Sequence, residues 1–215
     1  MAGEMMACRT MFAPAMHNAP MNTPTAPQPD VDPAVLPSPE QIIDNTRHWM
    51  TTAVIGLNLC PFAKAVHVKD QVRYVVSEAT TPEGLLQDLL DELNFLHEAD
   101  PQSVDTTLLI HPRTLTDFLE YNDFLDVADA AVEDQGFEGV LQVAHFHPQF
   151  QFEGTEPDDI ENYTNRSPYP TLHLLREDSI DQAVKAFPEA AEIFEANIDT
   201  LEKLGHEGWD ALMKR

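Results

Sequence analysis

Reactive side-chain types are concentrated between two predicted strands, in the segment from Ala144 to Arg176. It contains roughly two dozen residues without an apolar period, and loops that long within a compact domain are usually binding loops or lids. The side chains that could perform chemistry in this segment are His145, His147, Asn162, Asn165, Arg166, Tyr169 and His173. They point to proton transfer, metal ligation or recognition of an anion.

His145 and His147 are the first candidates for catalysis. Residues two apart on a strand face the same side, so both imidazoles could transfer protons at one site or bind one metal ion. A third ligand could come from His111, His173, Glu153 or Asp158. The alternative is that both are structural histidines at the end of a strand.

Arg166 is the one basic residue between Arg113 and Arg176, and five acidic residues precede it in the loop. Two nearby prolines stiffen the segment, which suits a guanidinium held ready for a carboxylate or phosphate. We therefore predict substrate-binding roles for Lys64, Asn165, Arg166, Tyr169 and His173. The alternative for Arg166 is weak surface pairing with the acidic run.

Cys60 is the third catalytic candidate. If Pro61 begins a helical turn, Cys60 occupies its N-cap, where backbone N–H groups stabilise a thiolate. Lys64, Lys69 and Arg73 form a basic island within ten residues that contain one acid, Asp70. Cys60 would then be a reactive nucleophile, whereas the competing interpretation is a small buried apolar side chain.

Alternating helices and strands must position these residues. Ser38, Pro39 and Gln41 form a capping box that begins a helix ending near Gly56. Strands are predicted at Val72–Ala79, Thr106–His111, Val140–His147 and Thr171–Leu175, with helices at Thr81–Leu96, Thr114–Gln135 and Ser179–Leu204. The order indicates a single α/β domain with a mostly parallel sheet of about four strands, flanking helices and an antiparallel last strand. His111 and His147 lie at the carboxyl ends of parallel strands, where such folds bind ligands.

Composition limits the organisation and the partners of the chain. Residues 1–37 carry seven prolines and no apolar period, which predicts a disordered tail before a domain at 38–215. The formal charge of −25, from 37 acids and 12 bases, disfavours nucleic acids and anionic membranes. The absence of a secretory signal and the use of two cysteines in unrelated contexts indicate the cytoplasm.

Residues 40 to 210 contain four long motifs, GLNLCPFAKAVHVKDQVRYVVSEA, DTTLLIHP, LQVAHFHPQFQF and NYTNRSPYPTLHLLRE. Together these motifs resemble a bacterial family catalogued as domain of unknown function 1415. The resemblance implies a bacterial, cytoplasmic protein with one domain. It implies no activity, so the chemistry has to be argued from the residues.

Three functions remain open at this level. The first is an enzyme that acts on a small anionic metabolite through Cys60, His145, His147 and Arg166. The second is a non-catalytic protein that engages a partner through its acidic surface and long loop, and the third is metal handling by His145, His147 and Cys60. Neither a cofactor nor an oligomeric state is indicated by the sequence.

Overall fold

The first helix begins at the capping box that the sequence contains. The hydroxyl of Ser38 accepts the N–H of Gln41 at 3.4 Å, and the Gln41 side chain accepts the N–H of Ser38 at 2.9 Å. These bonds satisfy backbone donors that the helix itself cannot. The computed structural model describes residues 36–186 and 192–214. The tail predicted at residues 1–37 therefore lies almost wholly outside the described residues.

The elements follow the predicted order, with a short helix after Cys60 and a 3-10 helix within the long loop in addition. The helices are α1 (Pro39–Trp49), α2 (Ala63–Val68), α3 (Pro82–Glu98), α4 (Phe118–Asp134), α5 (Glu177–Ala186) and α6 (Ile193–Met213), joined by a π-helical turn (Met50–Ile55) and a 3-10 helix (Ile160–Asn165). The strands are β1 (Val72–Val76), β2 (Thr106–Ile110), β3 (Leu141–Phe146) and β4 (Thr171–Arg176). Within residues 36–186 and 192–214, no helix combines the length and hydrophobicity that crossing a bilayer requires.

The four strands form a mixed sheet in the order β1-β2-β4-β3. β1 and β2 are parallel, and β4 is antiparallel to both β2 and β3. The antiparallel last strand is confirmed, but the expectation of a mostly parallel sheet is partly wrong, since one of three strand pairs is parallel. The physical reason is the long loop after β3, which lets β4 return into the gap between β2 and β3.

Helices cover both faces of this sheet. On the α3/α4 face, leucines of α3 and aromatic residues of α4 pack on Leu109 and Leu172. On the α1/α6 face, Trp49 and Trp209 pack against Leu108 and the neighbouring strands. Because successive strand residues point to opposite faces, Leu108 and Leu109 belong to different cores. Every candidate residue on a strand can therefore be assigned to one face.

The π-helical turn after α1 places Cys60. The side-chain hydroxyls of Thr51 and Thr52 both donate to the backbone carbonyl of His48, at 3.0 and 2.7 Å. Such bonds compete for carbonyls of the helix and distort it locally. At Gly56 a Cβ atom would collide with the carbonyl oxygen of Thr52. The chain leaves the helix there and reaches Cys60 on the α1/α6 face.

Candidate functional site

His111 and His147 lie at the carboxyl ends of β2 and β3, one on each side of the start of β4. The N–H of His111 donates to the carbonyl of Pro170 at 3.0 Å, and the N–H of His147 donates to that of Asn165 at 3.2 Å. Both rings contact Tyr121, with centroids 5.5 and 5.0 Å from its ring centre. All three side chains are fully buried. The topology thus brings the two histidines to one place, but inside the core.

The nitrogens of this pair mostly serve the backbone. Nδ1 of His147 accepts the N–H of Gln149 at 3.0 Å, which leaves Nε2 as the donor to the carbonyl of Leu115 at 3.3 Å. Nδ1 of His111 lies 3.0 Å from the carbonyl of Thr114. Burial lowers the pKa of each imidazole to about 4, so both are neutral at neutral pH. They hold the 114–115 loop, where Leu115 has a φ of 52°.

His145 and His147 share the α3/α4 face, as their spacing predicts. His145 stacks on Phe150 with ring centres 5.6 Å apart, and Phe118 lies 5.4 Å from the ring centre of His147. Burial also lowers the pKa of His145 to about 4. In the described part of the chain, no group of three His, Cys, Asp or Glu side chains is placed to hold a metal ion. The metal hypothesis therefore gains no third ligand from this geometry.

Arg166 supports the long loop from within. Its Nε donates to the carbonyl of Phe150 at 3.2 Å and one terminal nitrogen donates to that of Pro157 at 2.6 Å. The guanidinium lies over the ring of Tyr163, 4.2 Å from its centre. Burial lowers the pKa of Arg166. It takes part in none of the ion pairs within residues 36–186 and 192–214, so the expected surface pairing with the acidic run is not found.

Two asparagines fasten the loop in the same way. The side-chain oxygen of Asn162 accepts the N–H of Phe152 at 2.9 Å, while its nitrogen donates to the carbonyl of Glu156 at 2.8 Å. Asn165 donates to the carbonyl of His145 at 3.4 Å. Both asparagines are buried. The loop is a folded structural element whose polar side chains replace a regular hydrogen-bond ladder.

Tyr169 before β4 and His173 on β4 are the two remaining candidates of the segment, and both face the α1/α6 side. The hydroxyl of Tyr169 accepts a hydrogen bond from Asn45 of α1 at 2.8 Å. Nε2 of His173 lies 2.7 Å from the hydroxyl of Thr106 on β2. Burial lowers the pKa of His173 to about 4. Both side chains connect secondary-structure elements, and their predicted role in substrate binding stays a prediction.

Cys60 is not held as a thiolate. The next helix begins at Ala63 rather than at Pro61, and Cys60 is half-buried against the α1/α6 core. Hydrogen bonds from the N–H groups of Phe62 and Ala63 favour the thiolate, but burial outweighs them and raises the pKa of Cys60. The direction is opposite to the one expected for a reactive cysteine.

The basic island is divided by the sheet. Lys64 and Lys69 are exposed on and after α2. Arg73 lies on the α3/α4 face, where both ends of its fork bind Glu92 of α3 at 2.8 and 2.9 Å. Its guanidinium also covers the ring of Phe95, 4.1 Å from the centre. Lys64 and Arg73 therefore do not form the shared basic site that their spacing in sequence predicts.

Cys60, His147 and Arg166 do not form one constellation. Cys60 packs on the α1/α6 face, whereas His147 packs on the α3/α4 face. Arg166 lies near enough to His147 for its charge to contribute to the lowered pKa of that imidazole. None of the hydrogen bonds and ion pairs described above joins Cys60 to either residue. The structure brings two of the three into one neighbourhood and leaves the cysteine apart.

An open cleft of about 580 Å³ lies elsewhere, between the end of β1 and helix α3. It is lined by residues 75–79 and by one side of α3, and it contains four carboxylates, Glu78, Asp88, Asp91 and Glu92. None of the residues that the sequence analysis selected lines it. Sequence reasoning missed this cleft because acidic residues on a helix usually form a solvated face. The available signal is the stripe of α3 formed by Gly84 and the polar residues Gln87, Asp88 and Asp91, which has helical spacing.

Ser77 fixes the end of β1 against α3. Its hydroxyl donates to the Asp88 carboxylate at 2.5 Å and accepts the N–H of Ala79 at 3.1 Å. Gly84 lets the first turn of α3 approach, since a Cβ there would lie 3.2 Å from Cβ of Ala79. In the described residues, Glu92 is the one carboxylate of the cleft with an ion-pair partner. The cleft is therefore preformed and carries unbalanced negative charge.

A family model described as "Protein of unknown function (DUF1415)" matches residues 41–211, which is most of the chain. The chain belongs to the DUF1415 family. No curated protein and no solved structure has significant similarity to it. The DUF1415 match spans the acidic cleft as well as the loop between β3 and β4. Both regions thus lie within the matched residues.

Proposed function

We propose that this DUF1415 protein is a binding protein that holds a positively charged partner in the acidic cleft between β1 and α3. The observation that carries the proposal is an open cleft with four carboxylates, one of which is neutralised by Arg73. Unbalanced negative charge in a cleft with low-dielectric walls attracts cations and repels anions. The cleft suits a cationic ligand and is a poor site for a small anion.

The rival function, an enzyme acting on a small anionic metabolite, receives less support from the geometry. Its anion-binding residue, Arg166, donates to two loop carbonyls. Its acid–base groups, His145 and His147, are buried and have pKa values of about 4. Its nucleophile, Cys60, has a raised pKa. A catalytic group needs a pKa near the working pH and access to substrate.

Net charge and cysteine use support two further parts of the proposal. A net charge of −25 disfavours nucleic acids and anionic membranes as partners. Cysteine use supports a cytoplasmic protein, since a half-buried free thiol such as Cys60 persists in reducing compartments. A cationic partner in the cytoplasm is consistent with both.

A labelled lysine-rich peptide titrated into the full chain tests the proposed function. We expect binding that weakens as salt is raised, and a loss of roughly fivefold in affinity for the double variant Glu78→Gln/Asp91→Asn, because each rim charge contributes about 0.5 kcal/mol. This variant keeps the bond between Ser77 and Asp88.

The matched control is Asp123→Asn/Glu133→Gln, which removes the same two residue types from exposed positions of α4. It should bind the peptide almost as tightly as the unmodified chain. If both double variants lost the same affinity, the loss would follow from the change in net charge alone, and the cleft would be overturned as the binding site. Absence of binding would overturn the proposed function.

Alkylation of Cys60 against pH tests the rival enzyme. In a Cys8→Ala chain, which retains one thiol, we expect slower alkylation at pH 7 than for a free thiol and an apparent pKa above the ordinary value. An apparent pKa below that of a free thiol would restore the enzyme hypothesis.

A further inference from the structure

Strand β1 occupies one end of the sheet order, with β2 as its neighbour in the described residues. On that side, the N–H of Ser77 donates to the carbonyl of Ile110 at 2.8 Å, and the carbonyl of Gln71 accepts the N–H of Asp105 at 2.9 Å. In a parallel pair, successive residues direct their backbone groups to opposite edges of the strand. The odd-numbered positions of β1 therefore bond to β2.

The even-numbered positions, Val72, Tyr74 and Val76, direct their backbone groups away from β2. Each has one N–H and one C=O, so the outer edge of β1 presents three donors and three acceptors. All three residues are half-buried rather than covered. An edge of this kind is a template for an additional strand from another chain.

The cleft borders the C-terminal end of this edge, where Val76 lines it. An added strand would place alternate side chains beneath α3, next to Asp88 and Asp91 and beyond the Arg73–Glu92 pair. The opposite set of side chains would face α1, where the guanidinium of Arg47 lies 4.9 Å from the ring centre of Tyr74. Arg47 is itself paired with Asp44 at 3.5 Å. Basic residues are therefore attracted on the α3 face of the added strand, whereas this pair gives the α1 face no such attraction.

We propose that the partner is an extended segment of another protein with lysine or arginine at every second position, which adds a strand to the outer edge of β1. The inference rests on the proposed function and names the class of its partner. Backbone hydrogen bonds to β1 supply the register, and the α3 carboxylates select the basic positions. Short alternating segments of this kind need no fold of their own before binding.

Charge favours this occupant over two others, the N-terminal residues of the chain itself and a second copy of the chain. Residues 1–35 of the chain contain one base, Arg9, against the acids Glu4, Asp30 and Asp32, so they lack the basic pattern that the cleft selects. A second copy of the chain carries the same net charge of −25 and would bring like charges together. A basic segment from a different protein meets neither obstacle.

The test compares two labelled nine-residue peptides of identical composition on the full chain. One alternates lysine with threonine or valine, and the other groups its lysines in one block. We expect the alternating peptide to bind at least tenfold more tightly in fluorescence anisotropy. The backbone nitrogens of this peptide can be methylated at the odd-numbered or at the even-numbered residues. One of these two peptides should lose the advantage and the other should keep it, because the N–H groups of only one set point toward β1.

Hydrogen exchange locates the added strand. On binding of the alternating peptide, the amides of Val72, Tyr74 and Val76 should exchange at least tenfold more slowly, while the control variant Asp123→Asn/Glu133→Gln should behave identically. Strand addition would be overturned if both peptides and a free triamine bound equally tightly and backbone methylation left their affinity unchanged. If Glu78→Gln/Asp91→Asn still weakened binding of all three ligands, the proposed function would stand. Failure of every cation to bind would overturn both.

Discussion

The carboxyl ends of β2 and β3 and the cleft beside β1 hold polar side chains in opposite circumstances. At the strand ends, His111 and His147 are fully buried and bond to backbone carbonyls. In the cleft, Glu78 and Asp91 are exposed and unpaired by any described cation. The first region uses most of its hydrogen-bonding groups on its own chain, with Nε2 of His111 as an exception. In the second region Asp91 accepts a hydrogen bond from Gln87, but neither Glu78 nor Asp91 has an ion-pair partner in the described residues.

The difference shows that the type of a residue is a weaker guide to function than whether its side chain is already bonded to other groups of the same chain. Histidine and arginine are common in active sites, yet here their hydrogen-bonding capacity serves a loop that lacks a regular ladder. Carboxylates on a helix are common everywhere, yet these border an open sheet edge. The comparison predicts that the first region controls stability and the second controls binding.

The largest expected effect is a loss of stability in acid. Four imidazoles, those of His111, His145, His147 and His173, have folded pKa values of about 4 against 6.5 when unfolded. The unfolded state therefore binds more protons, so stability is full above pH 7 and is lost as the pH falls from 6.5 toward 4, by roughly 3 kcal/mol for each imidazole. Urea unfolding between pH 7.5 and 5 measures the slope.

His145→Phe removes one of these groups and keeps an aromatic ring beside Phe150. The slope of stability against pH should decrease by about one proton. An unchanged slope would mean that carboxylates, rather than the buried imidazoles, dominate the acid response.

The second effect concerns the loop. Arg166→Met removes two hydrogen bonds to carbonyls and the contact with Tyr163, and should lower the free energy of unfolding by about 2–4 kcal/mol. Arg113→Met, at an exposed position, should cost under about 0.5 kcal/mol. Denaturant titration compares the two, and an equal small cost in both would make Arg166 a free recognition group after all.

The smallest effect is expected in the cleft. Glu78→Gln/Asp91→Asn should change the free energy of unfolding by less than about 0.5 kcal/mol, because neither carboxylate has an ion-pair partner to lose. The same variant should weaken peptide binding. If this variant lowered the free energy of unfolding strongly, the cleft carboxylates would have a structural role, and the contrast between the strand ends and the cleft would be wrong.

The helices and strands could be predicted from local signals. Thr81 accepts the N–H of Gly84 as the N-cap of α3, and the capping box of Ser38 begins α1, both as their sequences indicate. The buried run at β2 reads as a central strand because all five residues are apolar or β-branched. These signals depend on neighbours in sequence, which is why they are reliable.

The candidate site depended on distant contacts and was predicted less well. The position of β4 between β2 and β3 follows from pairing across the sheet, such as Leu108 with His173, and no local pattern encodes it. Burial of His147 depends on Tyr121 of α4. The cleft depends on α3 lying over the edge of β1, which neither element indicates alone.

The inner position of β4 has a consequence for synthesis on the ribosome. β2 and β3 are made first, but they are not neighbours, and the strand that joins them is the last of the four to emerge. Until residues 171–176 leave the exit tunnel, the inner edges of β2 and β3 remain without their partner, and unpaired edges invite aggregation. We expect the nascent chain to need protection until β4 arrives, so that folding proceeds late and in a single step.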